Sequence, residues 1–178
     1  MIRLFAAIPI GPELGQGLAR RQTGIDGARW SPLENLHITL RFFGEVAEVV
    51  AEDLDLELSK LGGEAFDLTL EGAGAFGEGP DIHAVWAGVT ENAPLRRLAQ
   101  ACEGAARRAG LKADARAYRP HVTLAYLRRP DPLAVAAWIQ ANNLLRSPTF
   151  SVTGFALYSS WSTKAGSRYV VERHYPLG

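Results

Sequence analysis

Two histidines in this chain sit in nearly the same company. Asn35-Leu36-His37-Ile38-Thr39-Leu40-Arg41-Phe42-Phe43 lines up with Arg119-Pro120-His121-Val122-Thr123-Leu124-Ala125-Tyr126-Leu127, 84 residues later. Imidazole titrates near neutrality, so each histidine can take or give a proton at pH 7. A threonine two residues on adds a hydroxyl donor beside each ring. In-line displacement at a phosphodiester needs that set: a base on the attacking oxygen, an acid on the leaving oxygen, and donors for the non-bridging oxygens. His37 and His121 are therefore the expected catalytic pair, with Thr39 and Thr123 the expected phosphate ligands. Strand alternation puts Arg41 on the face of His37 and Thr39, where it would add a positive charge. His83 and His174 lack such neighbours and read as ordinary strand residues.

The elements that must position these groups repeat as well. The same offset sets Phe66 on Phe150, Leu68 on Val152 and Thr69 on Thr153. Each motif reads as a strand. His37 and Thr39 face away from Leu36, Ile38, Leu40 and Phe42, and His121 and Thr123 away from Val122, Leu124 and Tyr126. A strand over 2–9 and a helix opening at Pro12 precede the first motif. A strand over 82–89 and a helix over 93–109, with Asn92 as its cap and Gly110 as its stop, precede the second. Helices follow both motifs. Val46, Val50, Leu54, Leu58 and Leu61 face one way on the first, and Asp131-Pro132 opens the second, which runs to about 144. Hairpins over 66–89 and 150–175 complete the halves. The pattern predicts an α+β protein with one unit over 1–178. It is expected to be bilobal, a pseudo-two-fold repeat of two antiparallel sheets with outer helices and a central cleft carrying both His-x-Thr-Leu motifs.

Composition narrows the function classes. At 47% hydrophobic and 21% charged residues, the 178-residue chain has the balance of an ordinary soluble domain. The apolar run at 2–10 is short and broken by Arg3 and Pro9, so it is expected to be a first strand, not a signal or membrane span. A single cysteine, Cys102, excludes an internal disulfide and offers no thiolate metal site. A cytoplasmic location is expected. Net charge is zero, yet residues 1–89 hold 6 basic and 14 acidic side chains against 13 and 5 in 90–178, so the second half is expected to meet an anion. Overall neutrality argues against tight non-specific duplex binding.

With these residues in view, the chain resembles the two-histidine phosphoesterases. Within them it resembles the bacterial RNA 2′,3′-cyclic phosphodiesterases first described as 2′-5′ RNA ligases. The likeness spans Arg3 to Ile8, Trp30, Leu36 to Glu45, Arg119 to Ala125, Leu157 to Ser160 and Gly166 to Tyr169. It implies a cleft enzyme without metal or cofactor that opens a 2′,3′-cyclic phosphate, on an RNA 3′ end or a small cyclic nucleotide, to a 2′-phosphate. It implies His37 and His121 as acid and base in an order left open, Thr39 and Thr123 as phosphate ligands, and reversal as 2′-5′ ligation. No membrane, no obligate protein partner and a monomer are expected. Relatives commonly carry arginine five residues after the second histidine, where this chain has Tyr126, so either Arg128 or Arg41 is expected to supply that charge, or phosphate binding is weaker and the substrate preference different.

Other residues enter as secondary candidates. Phe5, Trp30, Tyr118, Trp161 and Tyr169 could stack on a base, and Lys164 and Arg168 could follow an RNA backbone. Three competing readings stand beside the first: a diesterase for another substrate, a non-catalytic RNA-end binding module and a metallohydrolase. The last lacks a His-Glu-x-x-His motif or a further ligand cluster.

Overall fold

Strand alternation and capped helices give fourteen elements in a computed structural model describing residues 1–178. The order is β1 (Ile2–Pro9), α1 (Pro12–Ala19), β2 (Arg29–Trp30), β3 (His37–Val46), α2 (Glu48–Ser59), β4 (Phe66–Leu68) and β5 (Leu70–Phe76). It continues with β6 (Ala84–Val89), α3 (Ala93–Arg108), β7 (His121–Tyr126), α4 (Pro132–Asn142), β8 (Phe150–Val152), β9 (Gly154–Thr163) and β10 (Gly166–Pro176). The main sheet runs β10-β9-β1-β3-β7-β6-β5, with β2 beside β7, and β4 and β8 pair separately.

The internal symmetry can be read from the pairing. Ile38 pairs with Val122 and Asp67 with Ser151, each residue meeting its own equivalent 84 positions away. Such self-pairing occurs only on a two-fold axis. One lobe, β10-β9-β1-β3, carries His37, and the other, β7-β6-β5, carries His121. Within the main sheet they join through the one pair Ile38–Val122. Because β9 and β10 return to β1, the lobes do not follow the sequence halves. The acidic and basic halves of the sequence are therefore interleaved in space.

Helices interleave too. Asn92 Oδ1 accepts the Leu95 amide at 2.9 Å and Asp131 Oδ1 the Leu133 amide at 3.0 Å, so both expected caps form. α3 follows β6 yet packs on β3 and α2, while α4 lies on β5. The end of α1 reaches α4, where Trp138 Nε1 donates to the Arg21 carbonyl at 2.8 Å. One continuous buried core, including Leu54, Leu95, Cys102, Leu124 and Val135, runs through both lobes. Its fully buried leucines contribute roughly 1.5–3 kcal/mol each.

Two departures from simple alternation matter for the cleft. The expected strands over 66–76 and 150–161 each break, at Thr69 and Thr153, because β4 and β8 leave their lobes to pair across the axis. Within β3, Thr39 pairs with Ala7 and Arg41 with Ala6, leaving Leu40 as a bulge. Within β7, Thr123 pairs with Trp86 and Ala125 with Val85, leaving Leu124 as a bulge. Leu40 and Leu124 are equivalents, so the bulge is itself repeated. An extra residue shifts the side-chain phase. Phe42 and Tyr126, assigned by alternation to the core, are instead 49% and 45% exposed.

Candidate active site

Both histidines open their strands beside the axis, and the backbone fixes their tautomer. Nδ1 of His37 lies 2.6 Å from the Asn35 carbonyl, and Nδ1 of His121 lies 2.7 Å from that of Arg119. A carbonyl only accepts, so each Nδ1 carries the proton and Nε2 is left for chemistry. The Thr39 hydroxyl donates to His37 Nε2 at 3.0 Å. Nε2 of His121 makes no hydrogen bond within the chain.

Extending the antiparallel register outward from Ile38–Val122 sets Thr123 across from His37, and His121 across from Thr39. The cavities follow this crossing. One of about 250 Å³ is lined by His37, Thr123 and Tyr126, and one of about 950 Å³ by His121, Thr39 and Phe42. Each histidine thus shares a cavity with the threonine of the other motif.

Aromatic rings set the electrostatics. Phe5 lies 5.0 Å from the His37 ring and Tyr169 meets it edge-on at 5.4 Å, while Phe76 meets His121 edge-on at 4.7 Å. Burial lowers His37 from 6.5 to about 4, against its carbonyl bond and helped by the charge of His121. Burial lowers His121 as well, with the Arg119 cation adding to the effect. Both rings are neutral at pH 7 in the free protein.

Arg41 is not on the face where strand alternation put it. The bulge at Leu40 takes Arg41 out of phase, and its guanidinium is bound by Glu103 on α3 and by the carbonyls of Phe42 and Lys112. Arg41 borders the larger cavity with its charge already matched. Arg128 is exposed just beyond β7 and lines neither cavity. Arg96 pairs with Glu91 and Arg116 with Asp114. The cleft cations without a carboxylate partner are Arg119 in the larger cavity and Arg29 and Arg168 in the smaller.

The secondary candidates divide. Tyr118 donates to the Thr39 carbonyl at 2.9 Å and lines the larger cavity, and Tyr169 lines the smaller. Phe5 is a buried floor, and Trp30 borders the smaller cavity while packing 6.2 Å from Trp138. Trp161 donates to Ser159 Oγ at 2.9 Å, and neither it nor Lys164 lines either of these two cavities. His83, expected in a strand, lies just before β6 at the rim of the larger cavity, its ring 6.3 Å from Phe76. Sequence reasoning did not single out Arg29, Phe42 or Phe76 for the site. Phe42 was detectable as the repeat equivalent of Tyr126, but nothing local marks Arg29. No group of three or more His, Cys, Asp or Glu side chains is arranged to hold a metal ion.

Similarity to known proteins extends over most of the chain. Residues 17–162 match the model of the 2′-5′ RNA ligase superfamily. The chain is 40% identical over 138 residues to an RNA 2′,3′-cyclic phosphodiesterase of Aeropyrum pernix, covering 76% of this chain and 78% of that protein. It is 29% identical over 171 residues to an RNA 2′,3′-cyclic phosphodiesterase of Archaeoglobus fulgidus, covering 94% and 96%. The crystal structure of Escherichia coli LigT complexed with 3′-AMP superposes with a TM-score of 0.80 at 27% identity, over 99% of this chain and 98% of that one.

Proposed function

The chain belongs to the 2′-5′ RNA ligase superfamily, and we propose that it hydrolyses RNA or nucleoside 2′,3′-cyclic phosphates to 2′-phosphates by a two-histidine acid–base mechanism. The observation that carries this is the crossed arrangement of two Nδ1-protonated imidazoles, each sharing a cavity with the other motif's threonine. The reacting phosphate sits between them, its non-bridging oxygens accepting from the Thr39 and Thr123 hydroxyls.

The two roles follow from room and direction. When the cyclic phosphate opens, the departing O3′ stays on its nucleoside, and water enters from the opposite side. The smaller cavity, with Tyr126 beside His37, suits the nucleoside, and the open cavity at His121 suits water. His37 then protonates O3′ while His121 Nε2 takes the proton from water. Burial alone would keep His37 neutral, and the bound phosphate anion supplies the opposite charge that raises it again. Run backwards with a 5′-hydroxyl in place of water, the same arrangement makes a 2′-5′ bond. The reaction needs no metal or cofactor. A cytoplasmic monomer with no obligate protein partner completes the reading; no helix is long and apolar enough to cross a membrane.

The test is hydrolysis of a nucleoside 2′,3′-cyclic phosphate with chelator present, by wild type, His37→Ala and His121→Ala. The expected product is the 2′-phosphate, with each variant slowed by roughly 10² to 10⁴. A folded but inactive wild type, or a 3′-phosphate product, overturns the reading.

A further inference from the structure

The smaller cavity holds more positive charge than one phosphate needs. Arg29 and Arg168 both line it and neither is paired with a carboxylate, although Glu34 lies on the same rim. The cleft arginines Arg41, Arg96 and Arg116 all have acidic partners. Reaching the cavity takes two separate pieces of chain. Arg29 comes in on β2, held by its pairing with Tyr126 on β7, and Arg168 comes in on β10 just after the β9–β10 turn.

Arg29 also meets the turn that precedes Arg168. Gly166 has φ +124, and a Cβ there would lie 3.5 Å from Arg29 Cδ, so the Arg29 side chain lies against the turn that carries Arg168. Asn35 fixes the distance to the chemistry. Its side-chain amide donates to the Ser167 carbonyl at 2.9 Å, while its own carbonyl accepts from His37 Nδ1 at 2.6 Å. One residue therefore registers both the arginine-bearing turn and the histidine.

Resting on the function proposed above, we infer that Arg29 and Arg168 form a second phosphate site on the His37 side, which takes the 5′-phosphate of the nucleotide carrying the cyclic phosphate. The preferred substrate is then a cyclic-phosphate nucleotide with a 5′ phosphoryl group, as every RNA 3′ end of two or more nucleotides has. Guanidinium groups suit this role because they stay charged and bind phosphate oxygens through paired N–H donors.

The experiment compares three substrates: a nucleoside 2′,3′-cyclic phosphate with a free 5′-hydroxyl, the same compound with a 5′-phosphate, and a dinucleotide ending in the cyclic phosphate. Wild type is expected to prefer the second and third over the first by about tenfold or more in kcat/KM, less so at high salt. The Arg29→Ala/Arg168→Ala variant is expected to lose that preference, and Arg97→Ala, an exposed charge on α3, to keep it. A preference for the dinucleotide alone, lost in the double variant, assigns the site to a phosphodiester and not to a monoester. Equal rates on all three substrates, or a preference that survives in the double variant, overturn the inference. Calorimetric binding of a nucleoside 2′,5′-bisphosphate against a nucleoside 2′-monophosphate gives a second readout independent of turnover. Should no substrate be hydrolysed, the proposed function fails, while a 5′-phosphate gain in affinity that depends on Arg29 and Arg168 still upholds the second site; its absence overturns it.

Discussion

His37 and His121 begin from one local sequence and finish in unlike surroundings. The backbone device is the same in both: a carbonyl two residues before the ring holds Nδ1–H, and a bulge three residues after it turns the next aromatic into the cleft. The side chains around that device have diverged. His37 is ringed by Phe5 and Tyr169, its Nε2 engaged by Thr39, whereas His121 opens on the larger cavity with Nε2 free. Asn35 anchors a turn, while its equivalent Arg119 lies over the Phe76 ring at 5.9 Å. Repetition preserved what aims the imidazoles, and divergence altered what sets their pKa and access. The division of labour between acid and base therefore lies in the surroundings, not in the motif.

Removing each ring and changing the leaving group separates the two histidines by the largest effect. A substrate with sulfur at the 3′ bridging position departs without a proton. It is expected to recover most of a 10²- to 10⁴-fold loss in His37→Ala and little in His121→Ala. Recovery confined to His121→Ala would exchange the two roles.

The threonines come next. Removing one oxyanion donor costs on the order of 10² in kcat, so Thr39→Val and Thr123→Val are both expected to fall by about that factor. Only Thr39 donates to its own histidine, which favours the neutral ring. Ring titration by NMR should therefore show the His37 pKa rising in Thr39→Val and the His121 pKa unmoved in Thr123→Val. A parallel rise in both would mean the copies are not electrostatically distinct.

Stability supplies the smallest effect. With His37 at 6.5 in the unfolded chain and about 4 in the folded protein, the unfolded state binds the extra proton between those values. Folding stability is thus full above pH 6.5 and falls as pH drops toward 4, by about 2 to 3 kcal/mol from this one group. Urea titrations at pH 7 and pH 4.5 should show that much more loss in wild type than in His37→Gln. Equal losses would show that His37 is not held neutral by the fold.

The repeat made the paired histidines and the strands carrying them legible from sequence, and local cap chemistry did the same for Asn92 and Asp131. The bulges were not, because Leu40 and Leu124 are apolar and buried whether or not they pair. A hydrophobic pattern counts burial and is blind to hydrogen-bond partners, so Phe42, Tyr126 and Arg41 were placed one phase out. The exchange of strands and helices between lobes was hidden for a related reason. The stripe on α3 says that it packs, but not that β3 is the strand beneath it. Arg29 was invisible because β2 is two residues long and joins the cleft only through β7.

Strand exchange also sets an order of events during synthesis. By the time α4 has left the ribosome, β5, β6 and β7 can already pair. The His37 lobe must wait for β9, which covers the open edge of β1, and for β10, which ends at Pro176. A nascent chain therefore holds a paired His121 lobe while the edge of β1 stays uncovered, a site for mispairing until β9 and β10 emerge.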